Sequence, residues 1–309
     1  MDRRQILGAV AVRQGGVVTR EQALAAGFSR HEIDNQVAMG RWRRVARAVY
    51  LVAVPSEEAV LRRSRIRAAV LSLGPAAHAV LATAAELHGI AGLRRFDEIH
   101  VCLPGRAARG ARIRDPAIIV HQLDHPPHAV TAVDGIPVTA PLLTVAELIL
   151  RQPRYPAVSV LDSALNRGLV RDDELPSILS MIRGRRGAVA ARRYLTEANG
   201  LAQSPLETRT RLRCVDGRVP PDCLQLEVRD DDGYLLGVGD MGWRASRVIA
   251  EADGREAHET PNALFGDRHR QNRLVNAGWT VLRFTWGDTL RPDCIPSVVR
   301  RALAARRAG

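Results

Sequence analysis

The run Arg247-Val248-Ile249-Ala250-Glu251-Ala252-Asp253, closed by Gly254, constrains this chain more than any other segment. Its apolar start and acidic end read as a buried strand that delivers carboxylates to the point where it leaves the sheet. Residues one apart on a strand point the same way, so Glu251 and Asp253 share a face. Together with Asp240 they can hold a divalent cation such as Mg²⁺ or Mn²⁺, which takes oxygen ligands. A cation beside a phosphate activates water and neutralises charge on the leaving oxygen, so the pattern predicts metal-dependent phosphodiester hydrolysis. The same residues also read as a plain turn, because Asp253-Gly254 is a good turn dipeptide with no chemistry attached.

Further elements surround this strand: Ser204-Pro205-Leu206-Glu207 opening a helix, Asp240 before Trp243, His258, Asp267-Arg268-His269-Arg270 with Leu274, and Gly278-Trp279-Thr280-Val281-Leu282-Arg283-Phe284. In this combination the last third of the chain resembles the restriction-endonuclease-like superfamily. Within it, the chain is similar to a bacterial domain of unknown function related to very-short-patch mismatch-repair endonucleases. The resemblance implies that Asp240 is the first metal-binding aspartate, that Glu251 is the next acid, and that Asp253 stands where many relatives place a lysine. This chain has no lysine at all. Arg255, Arg268 or Arg270 can supply positive charge, but an arginine stays protonated and cannot act as a base. His258 titrates near neutrality and can serve as a base or a phosphate contact. For Glu207, Ser204 as N-cap and Pro205 at the first helical position make a capping box that accounts for the glutamate, and the matching helix of relatives leans into the site.

With 309 residues and 46% hydrophobic content the chain can bury more than one core. No apolar run reaches the length of a membrane span and the first residues lack a signal-peptide core, so a cytoplasmic protein without a membrane partner is expected. Cys102, Cys214, Cys223 and Cys294 form no CxxC pair and have no histidine at zinc-ligand spacing, which reads as four packed thiols. A net charge of +12, carried entirely by arginine, predicts attraction to nucleic acid with bidentate phosphate contacts.

At the N-terminus, Arg4 to Arg13 reads as an amphipathic helix, broken by Gly15-Gly16, with Val17-Val18 as a short strand. Thr19 caps a helix through Ala26, Gly27 turns the chain, and Ser29 caps a third helix from Arg30 to Met39, ended by Gly40. Arg41 to Leu51 alternates as the strands of a wing would. This is a winged helix-turn-helix, with Arg30, His31 and Asn35 positioned for base edges and Arg41, Arg43 and Arg44 for phosphates; Arg268 and Arg270 add phosphate contacts in the C-terminal region. Gly16-Val17-Val18-Thr19, Ala23 to Gly27, and Gly40-Arg41-Trp42-Arg43-Arg44-Val45 running into Val49-Tyr50 resemble the N-terminal domain of AbiEi-type antitoxins. That family implies transcriptional autoregulation of a toxin operon. Gly135-Ile136-Pro137-Val138-Thr139 and Pro141 look like the same family's central region.

Between these ends, a helix is expected over 57–73, a second over 78–88, strands at 98–103, 118–121 and 136–139, and a helix over 142–151. His100, His121, His125 and His128 show no ligand spacing, and no metal is expected there. The overall expectation is an α/β chain, α+β taken as a whole. It comprises a winged helix over 1–54, a mixed α/β antitoxin-like region over 55–152, a helical connection over 153–200 and an α/β/α nuclease-like domain over 201–309. Three functions compete: a Mg²⁺-dependent endonuclease of defence or repair, an antitoxin-like DNA-binding regulator whose nuclease-like domain is silent, and a nucleic-acid-binding scaffold or partner-binding protein in a phage-defence locus. DNA and a cognate toxin or defence-system partner are the expected partners; monomer and dimer both fit.

Overall fold

The computed structural model describes residues 2–52, 58–104, 115–254 and 261–308, with the side chains of 58–60, 261–268 and 307–308 left out. His258 and Arg255 therefore lie outside the described residues, as does the side chain of Arg268. The described residues form a mixed α/β protein with three sheets, and the chain divides into two compact units: residues 1–90 with 94–148, and residues 91–93 with 149–309. Among the described residues no helix is long and apolar enough to cross a membrane.

The first unit opens with α1 (Arg3–Arg13), β1 (Val17–Thr19), α2 (Arg20–Ala25), α3 (Arg30–Ala38), β2 (Arg43–Ala46) and β3 (Val49–Leu51). Two capping boxes set the helix starts: Thr19 with Gln22, and Ser29 with Glu32. Each satisfies two backbone N–H groups the helix cannot pair itself, and an N-cap of this kind contributes about 1 kcal/mol. Between the helices Gly27 takes φ +98°, a conformation closed to most side chains. The sheet runs β1-β3-β2, and Phe28, Trp42 and Tyr50 meet in sequence as tilted ring pairs, with centroids 5.4 and 5.9 Å apart. These aromatics, with Leu7, Val18 and Ile33, are the core of a winged helix.

Helix α4 (Glu58–Leu73) joins this module to the rest of its unit. Ala68 packs on Val17, Val49 and Leu51, while Ile66, Ala69 and Val70 enter a second core. Arg67 donates to the carbonyls of Arg13 and Asp134, tying both modules to one side chain. The second core lines a five-stranded sheet in the order β6-β5-β4-β8-β7, where β4 is His78–Ala79, β5 Ile99–Cys102, β6 Ile118–His121, β7 Val130–Val133 and β8 Ile136–Thr139. α5 (Leu81–His88) and α6 (Pro141–Ile149) complete it.

Two expectations fail here. The helix expected over 78–88 is instead the central strand β4 followed by α5: His78 and Ala79 pair with Cys102 and Val101 on one side, and Ala79 with Val138 on the other. Helix propensity of the alanines is overridden by pairing on both edges. Strand β7 was not expected, yet Asp134 and Gly135, both at positive φ, turn it directly into β8.

In the second unit α7 (Arg154–Asn166), α8 (Leu175–Ile182) and α9 (Ala188–Glu197) precede α10 (Pro205–Asp216), β9 (Cys223–Arg229), β10 (Leu235–Trp243), β11 (Val248–Ala252), α11 (Pro261–Asn276), β12 (Thr280–Phe284), α12 (Trp286–Thr289) and α13 (Cys294–Ala308). The sheet order is β12-β11-β10-β9, antiparallel except for the β11/β12 pair, which α11 connects. Cys214 of α10 and Ile295 and Val299 of α13 pack with Met241, Trp243 and Ala250. A separate cluster sets Leu274 of α11 against Leu226, Val228 and Ile249. The sheet thus has helices on both faces. Within the stretch expected as a helical connection over 153–200, α7 packs on α9 and on α10.

Candidate functional site

The register of the second sheet builds one row of polar side chains. Met241 pairs with Ala250 and Leu224, so Asp240 follows beside Glu251 on one edge and Gln225 on the other; Glu251 in turn pairs with Arg283. Asp253 lies just past β11, its N–H still donating to the Phe284 carbonyl at 2.8 Å. Antiparallel neighbours directly opposite each other share a face, so the three expected acids converge.

Their partners differ. Asp240 Oδ2 accepts from the Ala252 N–H at 2.7 Å. Glu251 is buried at 8% exposure and both its oxygens meet arginine: Oε1 lies 2.7 Å from Arg270 Nη1 and Oε2 3.3 Å from Arg283 Nε. Arg283 Nη1 also stands 4.0 Å from Asp253. Arg270, expected at phosphate, thus faces Glu251 and donates to the Val238 carbonyl at 3.0 Å.

The capping-box account of Glu207 needs correction. Ser204 Oγ does cap the helix, accepting from the Glu207 N–H at 3.1 Å, but the Glu207 carboxylate does not return to the Ser204 backbone. It accepts from the Gln203 N–H at 2.9 Å and from Gln225 Nε2 at 3.2 Å, and is 8% exposed. Glu207 therefore faces the row and repels Asp240 electrostatically. Gln225 and Arg283 were given no role from the sequence; their strand positions opposite Asp240 and Glu251 are the signal that locates them.

Burial pushes the Asp240 carboxyl up to about 6; Glu207 and Glu251 push the same way, against the Ala252 hydrogen bond and Arg270. A carboxyl whose folded value is raised binds its proton more tightly when folded, so its stability contribution is full below the unfolded value of about 4 and is lost as pH climbs through about 6. In chelator, Asp240→Asn is therefore expected to stabilise the chain at pH 8 by on the order of 2 kcal/mol and to leave it unchanged near pH 4. Urea unfolding of both proteins across that range checks it; an advantage that is the same at both ends would show that the charge is not the cause.

In the first unit, Arg30 and His31 are exposed at the start of α3 and Asn35, one turn on, is half-buried, with His31 Nε2 and Asn35 Nδ2 3.2 Å apart. Arg43 and Arg44 are exposed on β2, and the Arg44 guanidinium lies over the Tyr50 ring at 5.8 Å. Arg41 precedes the wing and lines a cleft of about 350 Å³ with Arg4, Phe28 and Trp42.

Known proteins match the modules in the same order. A model described as "Transcriptional regulator, AbiEi antitoxin" covers residues 5–53, and one described as "AbiEi antitoxin C-terminal domain" covers residues 77–197. Uncharacterized proteins Rv2248 and MT2308, from two strains of Mycobacterium tuberculosis, are each 32% identical over 287 residues, spanning 91% of this chain and 100% of the relative. The chain belongs to the AbiEi antitoxin-domain family. The winged helix falls almost wholly within the first matched range, and the second runs from β4 through α9. The acid row of this family member lies beyond both matched ranges. A solved structure, the RV2827C protein from Mycobacterium tuberculosis, is similar over 67% of this chain and 79% of its own at 17% identity, with a TM-score of 0.41.

Proposed function

We propose that this chain is an antitoxin-type transcriptional regulator that binds operator DNA through its winged helix, in the cytoplasm, with a toxin as its protein partner. The observation that carries the reading is the N-terminal module. Two capped helices are held by an aromatic core, Arg30 and His31 stand in the N-terminal half of the second with Asn35 one turn on from His31, and Arg43 and Arg44 are exposed on the wing. In helix-turn-helix proteins that half of the recognition helix reaches base edges while flanking cations hold phosphate. The match to a transcriptional-regulator domain over residues 5–53 supports it.

The acid row favours a second reading, metal-dependent cleavage of nucleic acid by the C-terminal module. Its support is the order α10-β9-β10-β11-α11-β12 together with Asp240, Glu251 and Asp253 side by side. All-oxygen ligands suit Mg²⁺ or Mn²⁺, which when bound would polarise a phosphate and its attacking water. Asp240 fits this role, as a half-buried carboxyl that burial, with Glu207 and Glu251 nearby, pushes up to about 6. Glu251 fits less well, since Arg270 and Arg283 already neutralise it.

One experiment separates the two. The purified chain is incubated with its own upstream region and with unrelated duplex, single-stranded, mismatched and RNA substrates, with Mg²⁺ or Mn²⁺ present, and both protection and scission are read. Site-specific protection without scission supports the regulator. Scission lost in Asp240→Asn/Glu251→Gln moves the assignment to a nuclease. Neither protection nor scission overturns both.

A further inference from the structure

The first unit contains a buried cluster that the winged helix and the acid row leave unused. His78 of β4 and Cys102 of β5 are direct cross-strand partners, and His125, from the segment after β6, closes over them. One nitrogen from each histidine and the Cys102 sulfur all lie within 4.8 Å of one another. His78 and Cys102 are buried, and the His125 and Glu147 side chains are 3% and 2% exposed.

The hydrogen-bond roles leave a gap at the centre. His78 Nδ1 lies 3.3 Å from the Ala76 carbonyl, and His125 Nε2 lies 3.2 Å from Glu147 Oε1. Both partners are acceptors, and the tautomers that satisfy them, assigned from these contacts, put each ring's hydrogen on these nitrogens. In neutral rings His78 Nε2 and His125 Nδ1 are then bare lone pairs, and they face each other at 2.9 Å. Two lone pairs at that distance repel unless a cation stands between or beside them. One candidate is an extra proton, the other a metal ion. The Cys102 sulfur, within hydrogen-bonding reach of both rings, adds a third soft donor on the same side.

We propose that His78, Cys102 and His125 form a zinc site, with Glu147 orienting His125 from behind and the fourth position open to water or another ligand. Zinc sits about 2.0–2.1 Å from nitrogen and 2.3 Å from sulfur, and a ligand triangle of this size accepts it with shifts below an ångström or so. A carboxylate on the far nitrogen of a ligating imidazole fixes its tautomer and is a regular feature of such sites. On binding, the thiol gives up its proton to solvent and the imidazoles stay neutral, so charge and atoms balance. The ion would clip β4, β5 and the segment around Leu123 and His125, where Cys102 Sγ already reaches the Leu123 carbonyl at 3.3 Å. In the proton-filled alternative the cluster is an imidazolium beside a thiolate. Burial opposes both charges, but hydrogen bonds from His125 and His78 outweigh it and bring the thiol to about 6, and Cys102 and Glu147 lift His125 to about 9.

The test uses the full chain, purified without a histidine tag from zinc-supplemented cells. Elemental analysis is expected to find about one zinc per chain, as a three-ligand site requires. After exchange to Co²⁺, a sulfur-to-cobalt charge-transfer band should appear in the wild type and in Cys223→Ala, and be lost in Cys102→Ala. Glu147→Gln keeps every ligand and should weaken zinc binding about 10–100-fold. Should Cys102→Ala fail to fold, the wild-type stoichiometry and the Glu147→Gln affinity still decide. Wild-type protein that takes up only traces of zinc at saturation, or a cobalt complex without the sulfur band, overturns the site in favour of the proton-filled cluster.

Discussion

Replacing Asp162 with alanine is expected to destabilise the second unit by about 3–5 kcal/mol, the largest single-residue loss the structure predicts, because it strands a buried arginine. Asp162 lies on α7 at 1% exposure. Its Oδ1 accepts from the Asn199 N–H at 2.7 Å, and its Oδ2 accepts from Thr208 Oγ1 and Arg211 Nη2, both at 2.8 Å. One carboxylate therefore ties α7 to the segment just after α9 and to α10. Alanine leaves the guanidinium of Arg211, 11% exposed, and a backbone N–H without this acceptor, and each buried group left unpaired costs its desolvation. Asp173→Ala is the control: its pair with Arg171 is 67% and 73% exposed, and such pairs contribute under about 1 kcal/mol. Urea unfolding followed by tryptophan emission separates them; equal midpoints for the two variants would show that the buried network is not a stability element. The network also crosses the end of the matched family domain at residue 197, so a fragment cut there loses Thr208 and Arg211 and carries an uncompensated aspartate.

Exchanging Arg43 and Arg44 together for alanine is expected to weaken DNA binding on the order of 30-fold near 0.15 M salt, and to lower the salt slope by about 2, the value for two lost phosphate contacts. Because phosphate contacts carry no sequence information, operator and unrelated DNA should weaken together. Asn35→Ala should instead erode the preference for the operator, by about 1–3 kcal/mol for a bidentate base contact, and leave the salt slope alone. Titrations at several salt concentrations read both quantities. A double variant with an unchanged slope would remove β2 from the interface.

Local features of the chain were legible and long-range ones were not. The winged helix follows from caps and glycines: Thr19, Ser29, Gly27 and Gly40 each act within a few residues, and the structure places α2 and α3 where they point. The Asp134-Gly135 turn was equally local, a strong hairpin signal between two apolar runs, and could have revealed β7. Strand β4 could not be read the same way. His78-Ala79 has no strand signature of its own and is extended only because β5 and β8 flank it. The same pairing brings His78 onto Cys102, and a search for ligand spacing along the chain misses residues that meet only across strands. In the acid row Glu251 and Asp253 followed from alternation along one strand, whereas Asp240 joins them from the neighbouring strand β10, and Arg270 and Arg283 reach Glu251 from a helix and from β12.

Charge is divided unevenly between α3 and the wing. On α3, Glu32 pairs with Arg3 at 2.7 Å and Asp34 with Arg20 at 3.2 Å, both partners lying outside the helix, while Arg41, Arg43, Arg44 and Arg47 crowd the segment that follows. Under the regulator reading, grip and discrimination then reside in separate parts. A lineage can rewrite α3 to follow a drifting operator without changing how tightly the protein holds DNA, and can retune that hold on the wing without changing which sequence it prefers.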